Sequence, residues 1–165
     1  MRPDGLLLAA VLGGQSLHEL RASLAEAEIA VTGGLSPRVA PMAELRDLGA
    51  LLQRAGLALP VADSVELNVE YRDMWHLMHD LRAMGEGNAL AARLRRPTRR
   101  AVFGRAAEIY AATYPNERGG ICATFEIIIL TGWAPDTNQP QPLRPGSATA
   151  RLADALGTDE TSLSD

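Results

Sequence analysis

The sequence predicts an α/β domain of three strands with flanking helices, on three observations. A continuous apolar run at residues 6–12, and a segment at 121–133 with apolar residues on both of its faces, have the character of strands covered on both sides. A third segment alternates Val65, Leu67, Val69 and Tyr71 with Glu66, Asn68 and Glu70, the pattern of a half-exposed strand at a sheet edge. Between them lie segments in which leucine, methionine and alanine recur at helical spacing.

The elements follow in order. The run from Leu6 to Leu12 is bounded by Asp4-Gly5 and Gly13-Gly14 and reads as a central strand. Ser16-Leu17-His18-Glu19 has the spacing of a capping box, and Leu17, Leu20, Leu24 and Ala27 carry a first helix to about Glu28. Residues 31–41 form a glycine- and proline-rich loop. Met42, Leu45, Leu48, Leu52 and Ala55 mark the buried stripe of a second helix, ended by Gly56. Residues 57–62 suit a short strand ahead of the alternating segment at 65–71. Asp73 caps a third helix with Met74, Leu77, Met78, Leu81 and Met84 inward and Gly85 at its end. An arginine-rich helix is expected at 88–95, broken by Pro97. Another, at 98–114, buries Val102, Ala106, Ile109 and Tyr110. In the last strand Phe125, Ile127 and Ile129 share one face, with Ile128 and Leu130 on the other. Residues 1–135 make the domain, and 136–165 are expected to be a proline-rich, flexible tail with a helical turn or two at 151–156.

Composition narrows the function. The chain has 165 residues, 47% hydrophobic and 22% charged, and no apolar stretch approaches the roughly 18 residues of a membrane span. No signal-peptide pattern follows Met1, so a cytoplasmic address is expected. The lone Cys122 argues against disulfide, zinc or redox chemistry. All 16 basic residues are arginine, against 20 acidic ones, and a net charge of −4 argues against nucleic acid. The local cluster Arg93, Arg95, Arg96, Arg99, Arg100 and Arg105 has no interleaved aromatics to stack bases and reads as a solvated helical surface. His76 and His79 stand three apart, without the further ligands a metal site needs.

Several blocks resemble one family. Arg2-Pro3-Asp4-Gly5 before an apolar strand resembles the turn ahead of the fifth strand of class I S-adenosylmethionine-dependent methyltransferases. Gly13-Gly14 with Leu17-His18-Glu19-Leu20-Arg21, then Gly33-Gly34-Leu35-Ser36-Pro37-Arg38 and Asp47-Leu48-Gly49, resemble their complex I assembly-factor branch. So do the block from Leu77 through Asn88, Ala123-Thr124-Phe125-Glu126, Thr131-Gly132-Trp133 and Pro145-Gly146-Ser147-Ala148. That branch is related to the malonyl-carrier-protein methyltransferases of biotin synthesis. The resemblance implies the C-terminal half of a Rossmann-like fold, the 5-7-6 portion of its sheet with strand 7 antiparallel. The cofactor, S-adenosylmethionine in the parent family, is held in the other half by a glycine-rich turn and an acidic residue. No such motif recurs here, so no cofactor is expected to bind this chain alone, and the chain is expected to be inactive or a non-catalytic protein-binding module.

Seven residues are candidates for substrate binding. The resemblance places residues 33–38 and 80–88 around the acceptor cleft, which singles out Ser36, Arg38, Arg82 and Asn88. The two arginines are suited to a carboxylate, a phosphate or a protein's acidic patch. Arg38 and Arg82 equally suit structural pairing, and Asn88 suits a helix cap. His18 and Arg21 follow the C-terminal end of the first strand, where open α/β sheets place ligands, although a solvated helix face accounts for them too. Tyr71 ends the edge strand, with its hydroxyl expected over the cleft. A half-sheet leaves the strand at Leu6 to Leu12 with an open edge, from which a homo-oligomer is expected, and the acceptor is expected to be a protein side chain or a small acid.

Overall fold

A computed structural model describes residues 1–140, 147 and 150–158. Most of the proline-rich stretch, including Pro142 and Pro145, lies outside the described residues. The chain divides into two compact units, Met1–Pro135 and Asp136–Asp165. In the second unit the described structure is one short helix, α5 (Leu152–Leu156), followed by Gly157 at φ 63°.

The first unit runs β1 (Leu6–Leu12), α1 (His18–Thr32), α2 (Leu45–Arg54), β2 (Ala58–Tyr71), α3 (Met74–Ala83), α4 (Arg100–Thr113) and β3 (Ile121–Trp133). The sheet order is β1-β3-β2, with β3 antiparallel to both neighbours. Thus the last strand in sequence is the middle strand in space. The two segments expected at 57–62 and 65–71 form one continuous β2, irregular between Ala58 and Val61, where Leu59 takes a positive φ of 48°.

The two faces of β3 carry two cores. Ile121, Ala123 and Phe125 point to α1, α3 and α4, and pack with Leu20, Leu24, Met74, Leu77, Val102, Ala106 and Tyr110. Ile128 and Leu130 point the other way, onto Leu52 of α2 and its neighbours Leu45 and Leu48. Strand alternation thus sends successive side chains to different helices. Tyr110 is fully buried, yet its hydroxyl donates to Cys122 O at 2.8 Å, so the phenol is satisfied. Burial foremost, with the Glu19 carboxylate beside it, pushes that hydroxyl well above its ordinary range of ionisation.

Several expectations are corrected. Among the described residues β1 is an outer strand, as the half-sheet implied and not the covered central strand that its apolar run suggested, and Leu6 and Leu8 are 51% and 67% exposed. A run of leucines reports coverage on both sides only when the covering elements are present. Ile129 of β3 is exposed for the same reason. Ser16 and Glu19 do not form a capping box. The residue before α1 is Leu17 in the left-handed region, with no side-chain cap, and both polar groups are drawn to β3 instead. α1 continues past Glu28 to Thr32, where Gly33 at φ 72° ends it. Ala55 is exposed just past the end of α2, as Met84 is just past the end of α3. No helix forms at 88–95, which is turn and loop: the stretch is only eight residues long and Pro97 stops it from being extended.

The cap on α3 is as read. The Asp73 carboxylate accepts from His76 N at 3.0 Å and contacts His76 Nδ1 at 2.8 Å. The His76 ring contact, with smaller help from the backbone bond and Arg72, outweighs desolvation and holds the carboxyl down to about 2 from its ordinary 3.8. Asp73→Ala is expected to cost about 1 kcal/mol at neutral pH in urea unfolding. The sign of the pH dependence follows from the lowered value. The stabilisation is complete above 3.8 and is lost as pH falls toward 2, so the wild-type and Asp73→Ala curves converge there.

Candidate functional site

The junction between β1 and α1 shapes one end of the site. β1 pairs with β3 as far as Leu12↔Ile127, and beyond it the chain turns while its polar groups continue the ladder. Gly13 N donates to Glu126 O (2.8 Å), Leu17 N donates to Thr124 O (2.7 Å), and Glu126 N donates to the Ser16 hydroxyl (3.0 Å). Thr124 N donates to the buried Glu19 carboxylate at 3.0 Å, and the Thr124 hydroxyl donates to the same oxygen. Two side chains thus do the work of a strand along that stretch of β3.

This turn is also where a glycine-rich cofactor loop would follow a strand. It does not fit one. A Cβ on Gly13 would collide with the Glu126 carboxylate, and one on Gly14 with the Glu44 carboxylate, so the glycines make room for the protein's own groups. The amides of Gly13, Gly14, Gln15, Ser16 and Leu17 all donate within the chain, leaving none aimed at a ligand. Two carboxylates packed on the turn would also repel the carboxylate of an amino-acid-bearing cofactor.

Beyond the junction lies a cavity of about 440 Å³. Leu12 and Phe125 line it from the sheet, Leu17, Leu20 and Leu24 from α1, Met78 and Leu81 from α3, and Phe103 from α4. Segments around 38–42 and 84–88, with the end of α3, form its rim and bring Arg38, Arg82, Glu86 and Asn88 to an otherwise apolar surface. Three methionines, Met42, Met78 and Met84, give the wall side chains that adapt to different shapes.

The cations at the rim differ. Arg38 is committed to Glu28 through Nε–Oε2 (3.0 Å) and Nη2–Oε1 (2.7 Å), and its Nη1 donates to Thr98 Oγ1 at 2.8 Å. Ser36 N also donates to Glu28, at 3.0 Å. Burial pushes the Glu28 carboxyl up, but the bonds from Arg38 and Ser36 more than offset it and leave it below its ordinary range. This forked pair ties the loop after α1 to α1 and to the start of α4. Asn88 adds a second tie, its side-chain amide donating to Pro37 O at 2.9 Å while its carbonyl accepts from Leu90 N. It is a loop clasp, not the cap of a helix. Arg82 and Glu86, by contrast, have no side-chain partner among the described residues and are exposed.

The sequence candidates therefore divide. Arg38, Arg82 and Asn88 meet at the cavity rim. Ser36, Arg21 and Arg38 line a separate hollow between α1 and the 35–39 segment. Arg21 is structural in its contacts, donating to Gly14 O and Ser16 O, both at 3.1 Å. Tyr71 does not reach the cavity. Its register opposite Ile121 sets it four positions along β3 from Phe125, where it packs on the larger core and burial, then Asp80, raises its hydroxyl. His18 also misses it, its ring standing edge-on to Tyr114 at 5.9 Å on the side of α4. The described residues hold no cluster of three or more metal-ligand side chains, and His76 is engaged by Asp73. Leu12, Phe125, Met42 and Glu86 were missed as site residues. A signal existed only for Leu12, at the C-terminal end of a strand.

No family model matches the chain. Comparison with curated proteins does identify homologues, first of a class: a malonyl-[acyl-carrier protein] O-methyltransferase of Xylella fastidiosa is 34% identical over 85% of this chain and 45% of its own length. Closer matches fall in one branch. The mitochondrial arginine-hydroxylase NDUFAF5 of Danio rerio is 41% identical over 93% of this chain and 48% of its own length, and that of Dictyostelium discoideum is 41% identical over 96% and 36%. The chain is homologous to part of these methyltransferase-like proteins and spans about half the length, or less, of the curated relatives it matches. The mitochondrial designation of the closer relatives overturns the cytoplasmic expectation, which had rested on the residues after Met1.

The two rim arginines separate experimentally. Arg38→Ala strands the buried Glu28 carboxylate and is expected to cost about 3 kcal/mol in denaturant unfolding. Arg82→Ala is expected to stay within about 0.5 kcal/mol of wild type.

Proposed function

We propose that the chain is the substrate-side half of a class I methyltransferase-like protein, with β1, β3 and β2 standing for the fifth, seventh and sixth strands of the parent sheet. Two observations support this: a middle strand antiparallel to both neighbours, and homologues about twice as long. On this reading S-adenosylmethionine, which supplies an activated methyl group in the parent family, is held by the part that this chain does not match. The observation that carries it is the β1–α1 turn, whose amides and space are taken by the protein itself.

The cavity is then the acceptor wall. Its apolar wall, with Arg82 and Glu86 exposed at the rim and without side-chain partners among the described residues, suits an acceptor that has an aliphatic stem and a charged end. An arginine side chain and a carrier-bound malonyl group, the acceptors named for the two groups of relatives, share that description. The chain's own contribution is positioning: the stem lies against Leu20, Leu24, Met78 and Phe125, and the charged end is fixed at the rim. The Glu28–Arg38 pair holds that rim in place without touching the acceptor.

Isothermal titration of S-adenosylmethionine into the 165-residue chain is expected to give no saturable heat at micromolar to low-millimolar ligand. Saturable micromolar binding would contradict the assignment of the cofactor to the other half.

A further inference from the structure

Two helices put aromatic and cationic side chains on one surface beside the cavity. On α3, Trp75, His79 and Arg82 follow one another at intervals of four and three residues and so share a stripe, and all three are exposed. At the start of α4, Arg99 and Arg100 stand four and three residues ahead of Phe103 and share its side of the helix. The two stripes meet where the Trp75 and Phe103 rings approach to 6.1 Å between centroids, and Trp75 stays 50% exposed there. The arginine cluster has no aromatics interleaved in sequence, but the fold supplies Trp75 from a second helix.

Helix stability does not account for these arginines. The first turn of α4 has no acidic residue and no side-chain cap, and cations there oppose the helix dipole. Arg99 and Arg100 form no ion pair among the described residues, although both are exposed. The acids of the two helices and their caps are engaged elsewhere: Glu108 with Arg105, Asp73 with Arg72 and His76, and Asp80 beside Tyr71. The surface runs into the cavity, because Arg82 and Phe103 line the cavity too. Thr98, the neighbour of Arg99, accepts from Arg38 at the rim, which ties the start of α4 to the same place.

We infer that this surface docks a carboxylate-rich segment of the polypeptide that carries the acceptor group, next to the acceptor residue itself. The inference rests on the proposed reading of the cavity as the acceptor wall. Arginine forks match carboxylates, and an exposed tryptophan beside them gives the contact an apolar anchor. A nucleic acid fits less well. The chain carries a net charge of −4, and the rings of Trp75 and Phe103 are tilted by 53° against each other, not set out as platforms for successive bases. A lipid surface needs an apolar helix face to enter it, and α3 turns Met74, Leu77 and Leu81 into the core.

The test is fluorescence anisotropy of a labelled peptide, an arginine flanked on both sides by glutamates, titrated with the 165-residue chain. The same peptide with glutamines for the glutamates, and one with alanine for the arginine, are the comparisons. The expected result is saturable binding of the acidic peptide, about tenfold tighter than the glutamine peptide and weakened by salt. Arg100→Glu is expected to weaken it about tenfold and yet to raise the unfolding midpoint, since an acid replaces a cation at the N-terminus of α4. Arg46→Ala, an exposed arginine of α2 on the other face of the sheet, is expected to leave binding unchanged. Equal affinity for the glutamate and glutamine peptides, or binding of neither, overturns the proposal. So does tighter binding to single-stranded DNA or to phosphatidylglycerol vesicles than to the acidic peptide, and so does Arg100→Glu with wild-type affinity. The peptides separate the two readings: binding that needs the glutamates but not the arginine removes the acceptor reading of the cavity and leaves the docking surface, whereas binding that needs the arginine but not the glutamates does the reverse.

Discussion

The fold depends on how β3 changes partners along its length. On one side it pairs with β2 throughout, from Tyr71↔Ile121 to Ala58↔Trp133. On the other it pairs with β1 only from Ile127 onward, and its earlier stretch is held by Ser16, Leu17 and Glu19 at the start of α1. That handover allows a strand at the sheet edge to become a helix lying over the sheet within five residues. It also fixes where α1 crosses, and hence where the cavity opens, between Leu20 and Leu24 on one side and Phe125 on the other. Glu19 is buried for this purpose: its carboxylate takes the Thr124 amide and hydroxyl that a missing strand would leave unpaired.

A second constraint orders the rim. Glu28 and Arg38 form a forked pair that is nearly inaccessible, with side chains 4% and 14% exposed. Such a pair contributes little net stability, because desolvation offsets most of its attraction, but it fixes geometry. It holds the 33–41 loop against α1, and Asn88 then clasps the 86–90 segment to Pro37. The rim is thereby built from two loops without regular structure of their own. Arg82 and Glu86 are exposed at that rim and have no side-chain partner among the described residues.

What was legible in the sequence follows from what local chemistry determines. The bounds of β1 and β3, the buried stripe of α4 and the Asp73 cap were readable because each depends on a run, a period or a neighbour three residues away. Family resemblance was readable from ordered blocks, and the homologues bear it out. Ser16 and Glu19 were misread because the spacing of a capping box is the same whether the groups turn to the helix or to a strand 110 residues away. The arginine-rich stretch at 88–95 was read as a helix, where eight residues ahead of Pro97 are too few to sustain one. At the site, the roles of Arg38 and Arg82 were not separable. They are the same residue type in the same implied cleft, and only the placement of Glu28 tells them apart.

The most direct test of this account is native-state amide hydrogen exchange at Leu17 and Thr124, two of the amides through which the start of α1 is tied to β3. If the handover organises the fold, both exchange only through global unfolding, with the same free energy as the central β3 amides and the same denaturant dependence. Exchange through a local opening several kcal/mol below the global value, insensitive to denaturant, would mean that α1 is held by side-chain packing alone and would contradict it.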